Sequence, residues 1–217
     1  MIFLLRSLIL LVIVTTASVS LLGDFWRSLM SSSTTVALEQ TGYAATYSVA
    51  WGFGMNEKMS VARVDGTGFE PSSGWTEIVS KPYNSGMFLY RSVDGKVYYI
   101  GQGMGFYRFV PSTGEFQHSC SIKDFVVDTR LGAATAGTED FDTTARKASD
   151  PGAPSLQGYL DPNEGGAIVR SPPASKYYEN LVFLGRFGIR SGGLRGSDVG
   201  FVSMTPEPVA GLGSRCP

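Results

Sequence analysis

The chain of 217 residues carries 18 basic and 19 acidic side chains, which gives a formal net charge of −1. Without a basic stripe to neutralise a phosphate backbone, this balance argues against nucleic acid as a partner. The 27 glycines, 11 prolines and 12% aromatic residues are typical of short strands joined by turns, so we predict a mainly β fold.

The amino-terminal segment is predicted to enter a membrane. No charged residue occurs from Ser7 to Gly23, and Arg6 is the one charge before Asp24. At about 1.5 Å per helical residue this stretch spans roughly 26 Å, and the apolar residues ahead of Arg6 lengthen it while the guanidinium reaches the headgroups. We therefore predict a transmembrane signal-anchor helix at residues 1–27.

Three residues are predicted to lie at the membrane interface, namely Arg6, Phe25 and Trp26, because aromatic rings with one polar edge settle at headgroup depth. The alternative is a cleaved secretory signal with a small-residue cleavage site at residues 18–20. Either route exports the rest of the chain, so we expect the carboxyl-terminal domain to be extracytoplasmic, in a bacterial periplasm, or secreted after cleavage.

The chain beyond the anchor is long enough for one domain with a real core. Residues 28–41 are small and polar and are predicted to form a juxtamembrane stalk, ahead of a β-rich domain at residues 42–217. From Tyr43 to Met55 large residues alternate with small ones. A period of two predicts one strand with an aromatic face and a small-residue face.

Antiparallel strands are predicted in a sandwich or a meander sheet. Asp94-Gly95 and the Pro111 to Gly114 segment provide hairpin turns, because these residue types tolerate the backbone of tight turns. Residues 129–176 have few large apolar groups and are predicted to form long surface loops. The expected strands are at residues 59–64, 75–79, 87–91, 96–100, 106–110, 115–118, 181–187 and 199–204.

One hairpin resembles a known repeat. The stretch GFYRFVPSTGEFQ, residues 105–117, resembles the outer hairpin of a propeller blade of the kelch or quinoprotein kind, and residues 63–69 form a looser echo. A closed propeller has at least about four blades, and the chain offers two such units. We therefore attribute the similarity to shared hairpin chemistry and assign no family.

Cys120 and Cys216 are predicted to form a disulfide, since an even cysteine count in an oxidising compartment favours pairing. Such a bond would pin the carboxyl terminus to the core and contribute roughly 4 to 5 kcal/mol on the chain-entropy model. The alternative is two buried, reduced thiols.

No catalytic set, cofactor site or metal site is predicted, and His118 is the single histidine. We expect a non-enzymatic accessory or scaffold subunit whose partners are other membrane-protein subunits and the lipid bilayer. The alternative is an exported carbohydrate- or peptidoglycan-binding module or weak hydrolase, which would pair a carboxylate couple with stacking aromatic rings. For either function the candidate partner or ligand surface comprises Trp51, Trp75, Tyr98 and Tyr99.

Overall fold

Antiparallel strands make up most of the described chain, which confirms the mainly β prediction. In the computed structural model the described residues are 22–52, 54–78, 86–101, 106–119, 159–160, 166–175, 181–190 and 198–203. Residues 22–29 are helical (α1). Among the described residues, no helix has the length and apolar character needed to cross a bilayer. Residues 1–21, which hold most of the predicted anchor, lie outside the described part.

The first sheet has four strands in chain order. They are β1 (Ser31–Leu38), β2 (Tyr43–Gly52), β3 (Gly54–Arg63) and β4 (Thr76–Glu77). Each pairs antiparallel with the next, and β1 forms one edge.

The second sheet has six strands in the order β10-β9-β5-β6-β7-β8. They are β5 (Met87–Ser92), β6 (Tyr98–Gly101), β7 (Phe106–Val110), β8 (Glu115–Ser119), β9 (Leu181–Ile189) and β10 (Val199–Val202). These positions match the predicted runs to within a few residues. Both predicted hairpin turns are present, with Gly95 at φ 76° and Gly114 at φ 71°.

The predicted strand from Tyr43 to Met55 is in fact interrupted by a turn. β2 ends at Gly52 and β3 begins at Gly54, whose φ is 94°. The register pairs Trp51 with Met55, so large residues on both sides of the turn point to the same face. The alternation of large and small residues therefore continues from β2 into β3. For this reason, periodicity alone could not reveal the turn.

The segment predicted as a stalk contains β1, which pairs with β2 along its whole length. Hydroxyl groups join the two strands on the outer face: Ser33 Oγ lies 2.8 Å from Ser48 Oγ, and Thr35 Oγ1 lies 2.9 Å from Thr46 Oγ1. Val36 and Leu38 are buried in the core. Ser31, Ser33 and Thr35 thus lie on the outer face of an edge strand, whereas Ser32 and Thr34 precede Val36 and Leu38 on its inner face.

The core lies between the sheets and includes aliphatic, methionine and aromatic side chains. Tyr47 of β2 packs 5.9 Å from Phe187 of β9 between ring centroids, and Tyr43 meets Phe109 edge-on at 4.9 Å. Its members from the two sheets include Leu38, Tyr47, Met55, Met59, Leu89, Tyr98, Ile100, Phe109, Phe187 and Phe201.

The second sheet is also buried on its outer face, the side turned away from the first sheet. Tyr90 pairs with Tyr99 and Tyr99 pairs with Arg108, so all three share that face. Phe88 and Arg186 form another such pair. All five side chains are buried, and Arg108 Nη1 donates to Gln117 Oε1 at 3.3 Å.

Candidate functional site

The structure separates the four aromatic residues that were proposed as one surface. Tyr98 and Tyr99 alternate along β6, and both are buried because the second sheet is covered on both faces. Tyr98 is 1% exposed and Tyr99 is 3% exposed. Neither ring can therefore present a face to a sugar or to a partner from this position.

Trp51 and Trp75 lie on opposite faces of the first sheet. Trp51 is half-buried and packs against the core. Trp75 is also half-buried, and Lys58 Nζ lies 5.8 Å from its ring centroid, in cation–π range. Lys58 pairs with Ser48 on the outer face, so the two tryptophans cannot contact one ligand together.

Of the predicted interface residues, Phe25 and Trp26 lie on α1 with 65% and 48% of their surface exposed. Arg6, Cys120 and Cys216 lie outside the described residues, so the predicted disulfide and the interface position of Arg6 at the amino-terminal end of the anchor stay predictions. His118 is exposed on β8 and stacks on Tyr107, with ring centroids 4.9 Å apart.

The outer edge of β1 offers backbone groups for pairing. Trp51 N–H donates to the Met30 carbonyl at 3.2 Å, which fixes the alternation so that even-numbered residues of β1 bond to β2. The N–H and C=O groups of Ser31, Ser33, Thr35 and Ala37 therefore point away from the sheet. No described residue makes a backbone hydrogen bond to them, and β1 contains no charge or proline, the residues that usually block edge pairing.

A cavity of about 300 Å³ lies beside the second half of β1. Its walls are Thr35, Val36, Ala37 and Glu39 on one side and residues 166–168 on the other. Ile168 also joins the core, which holds residues 166–168 near the strand. Along β1 the exposed side chains are Ser33, Thr35 and Ala37, and β10 of the second sheet also lies close to this strand.

A buried polar cluster, absent from the sequence-based predictions, ties the two sheets together. Glu57 of β3 pairs with Val49 and therefore faces the core. Tyr47 Oη donates to Glu57 Oε2 at 2.7 Å, and Gly86 N–H donates to the same oxygen at 3.0 Å. Gly86 also lies 3.0 Å from Tyr47 Oη and directly precedes β5, so these bonds join the first sheet to the second.

Both the backbone conformation and the neighbouring atoms require glycine at position 86. Its φ is 94°, which side chains rarely adopt, and an added Cβ would lie 2.5 Å from the Phe187 carbonyl oxygen. The chain thus enters β5 with the Gly86 N–H directed at the carboxyl group of Glu57.

Burial raises the pKa of Glu57 to about 7, although hydrogen bonds from Tyr47 and Gly86 act in the opposite direction. Burial and the neighbouring carboxylate also raise the pKa of Tyr47 well above its ordinary value. The cluster is therefore a carboxyl group that changes charge near neutral pH inside the contact between the sheets. A carboxyl group with this pKa between the two sheets makes the free energy of unfolding depend on pH.

A sequence signal for this cluster exists. Met55, Met59 and Val61 occupy the apolar positions of β3, and Glu57 stands at the same period-two position. A charged residue in an apolar register must find partners or change its pKa. Its partner Gly86 directly precedes β5 and is distant in sequence, so a local sequence pattern could not predict this contact.

Within the described residues, no three histidine, cysteine or acidic side chains cluster as metal ligands. Comparison of the chain with protein-family models, with curated proteins and with solved structures found no match.

Proposed function

We propose that the protein is a non-enzymatic accessory or scaffold subunit that packs on a larger membrane protein complex through its extracytoplasmic β domain. Residues 1–27 anchor it in the bilayer as a single-pass signal-anchor. The observation that carries the proposal is that helix α1, whose Phe25 and Leu29 side chains are exposed, is followed almost directly by β1, an edge strand with no charged residue.

Strand addition is the mode of docking that this edge fits best. An extended segment of a partner subunit would pair with the outward N–H and C=O groups of Ser31, Ser33 and Thr35, as strands do when they extend an existing sheet. The hydroxyl groups of Ser33 and Thr35 form hydrogen bonds with hydroxyl groups of β2. β1 itself contains no charged residue. Neither feature repels an incoming strand.

The alternative function, a carbohydrate- or peptidoglycan-binding module or weak hydrolase, would require stacking rings close to paired carboxylates. Burial of Tyr98 and Tyr99 and separation of Trp51 from Trp75 give it no support. We therefore retain the docking function as the proposal.

The test compares two proline variants after mild detergent extraction and blue-native electrophoresis. Ser33→Pro removes an outward N–H and leaves the bonds to β2 in place, whereas Ser32→Pro removes a bond to Val49. We expect the wild-type chain to migrate in a large complex and Ser33→Pro to migrate as the free chain, with thermal stability lowered only slightly by loss of the Ser33–Ser48 hydroxyl contact. Ser32→Pro should lower the stability itself.

Migration of the wild-type chain only as a free 23.3 kDa species would contradict the accessory-subunit function. A wild-type complex that survives Ser33→Pro would leave that function standing and reject β1 as the docking edge.

A further inference from the structure

Helix α1 has two faces of opposite character. At about 100° per residue, Leu22, Phe25, Trp26 and Leu29 fall within an arc of roughly 100°, which is the spacing of an amphipathic helix. We call this set the apolar face of α1. The opposite side carries Asp24, Arg27 and Ser28, and Arg27 Nη1 lies 2.9 Å from Asp24 Oδ1.

The apolar face of α1 is not covered by the described part of the chain. Leu22, Phe25 and Leu29 are 66%, 65% and 64% exposed, and Trp26 is 48% exposed. Four large apolar side chains side by side on one helix differ from the scattered exposed residues found on most surfaces. Such a face needs an apolar environment outside the domain.

The preceding sequence indicates which environment that is. Residues 7–21 contain no charge and lead directly into Leu22, so a chain anchored by this stretch delivers α1 at the bilayer surface. Phenylalanine and tryptophan favour the depth of the headgroups. The Asp24–Arg27 pair lies on the side that would face water, and its two opposite charges compensate one another.

We propose that α1 lies along the membrane surface with its apolar face inserted into the lipid interface. This inference rests on the proposed membrane anchoring and refines it: the part of segment 1–27 that crosses the bilayer ends before Leu22, and residues 22–27 lie in the plane of the interface. An in-plane α1 places β1, which begins two residues after Leu29, next to the headgroups. The open edge of the first sheet would then be held at a fixed height above the bilayer, where a membrane-bound partner can reach it.

The experiment places single tryptophans around α1 in the full chain, reconstituted in phosphatidylcholine vesicles. Trp51 and Trp75 are first replaced by phenylalanine, which leaves Trp26. Two further proteins combine Trp26→Phe with either Leu29→Trp on the apolar face or Ser28→Trp on the polar face. Quenching by lipids brominated close to the headgroup then reports the depth of each position.

An in-plane helix predicts similar, strong quenching of Trp26 and of tryptophan at position 29, with a blue-shifted emission. Tryptophan at position 28 should be quenched several-fold less, because it points to water. A helix that rises upright from the bilayer gives decreasing quenching from position 26 to 29, with 28 and 29 alike. That result would overturn the in-plane arrangement.

Flotation of the same vesicles separates the two claims. If the wild-type chain does not float with the lipid, the anchoring itself is rejected. If it floats while positions 26 and 29 are not quenched, the anchor stands and the lipid contact of α1 is rejected. If tryptophans at positions 26 and 29 are shielded from a water-soluble quencher in native membranes but not in the lipid vesicles, a protein subunit covers the apolar face of α1. That result also overturns the lipid assignment.

Discussion

The outer faces of the two sheets differ in chemistry. The first sheet carries small and polar side chains there, including Ser33, Thr46, Ser48 and Lys58, whereas the second carries buried aromatic rings and two buried arginines. Alternation is typical of a sheet covered on one side and nearly continuous apolar runs of a sheet covered on both sides, although Ser48, Ala50 and Ser60 on the outer face of the first sheet are also buried. The segments Met87 to Tyr90 and Leu181 to Leu184 are runs of the second kind.

This difference indicates how the domain is organised. The second sheet forms the interior of the molecule, with apolar side chains on both faces, and the first sheet covers one of those faces. The edge of the covering sheet at β1 carries no charge, and no strand in the described part of the chain pairs with its outer side. Stability should therefore depend mostly on the second sheet, and docking on the first.

The largest expected effect tests this difference directly. Replacing Phe88, which is fully buried on the outer face of the second sheet, by alanine should lower the free energy of unfolding by about 4 kcal/mol, because the ring leaves a cavity. The matched change on the outer face of the first sheet, Thr46→Ala, should cost no more than about 1 kcal/mol. Chemical denaturation measures both values, and equal losses would show that the faces do not differ in burial.

The next effect concerns the connection between the sheets. Gly86→Ala should destabilise the fold by about 3 kcal/mol or more, since it forces an unfavourable φ and a collision with the Phe187 carbonyl. Gly66→Ala is the control, because Gly66 has φ 71° with open space around its Cβ position. It should cost only about 1 kcal/mol. Similar melting temperatures for the two variants would show that the strand can shift at Gly86 without loss.

The pH dependence of stability should reveal Glu57. Its ordinary pKa is 4.5 and burial in the folded protein raises it to about 7, so between these values the folded state binds more protons than the unfolded state. The contribution of this group to stability is complete below about pH 4.5 and is lost as the pH rises through 7. From pH 5.5 to 8 the wild-type chain should lose about 2 kcal/mol.

Glu57→Gln isolates this contribution because glutamine keeps an oxygen acceptor and carries no charge. The difference in free energy of unfolding between wild type and Glu57→Gln should change by about 2 kcal/mol from pH 5.5 to 8. The variant should be the more stable protein at pH 8. A constant difference across the range would mean that Glu57 does not change its charge there.

The smallest expected effect lies on the outer face of the first sheet. A double-mutant cycle with Ser33→Ala and Ser48→Ala should give a coupling energy of about 0.5 kcal/mol for the 2.8 Å hydroxyl contact. A coupling of several kcal/mol would indicate that this face is buried more deeply than the accessible surface of Ser33 implies. It would also weaken the case for an open edge.

Much of the fold could be predicted from local patterns. β5 and β6 consist largely of apolar residues, and Asp94-Gly95 and Gly114 mark the turns of the β5–β6 and β7–β8 hairpins, so the sequence located these strands closely. β1 could not be recognised in the same way, because serines and threonines occupy both of its faces and only Val36 and Leu38 belong to the core.

The candidate site was less predictable, for physical reasons. Phe25 and Trp26 could be identified from their place after an uncharged stretch, but the participation of Leu22 and Leu29 depends on α1 being helical. The aromatic surface failed as a unit because alternation identifies which residues share a face within a strand and not which face is covered. Contact between Glu57 and Gly86 arises from packing of two sheets that sequence spacing does not encode.

The most direct test of the central claim is residue-resolved hydrogen exchange of β1 in the full chain, first in detergent and then in the native membrane complex. The account predicts fast exchange at Ser33 and Thr35 and slow exchange at Ser32, Thr34 and Val36 in the isolated chain, because only the latter donate to β2. In the complex, Ser33 and Thr35 should become as protected as their neighbours. Fast exchange of these two amides in the complex would contradict docking through the open edge of the first sheet.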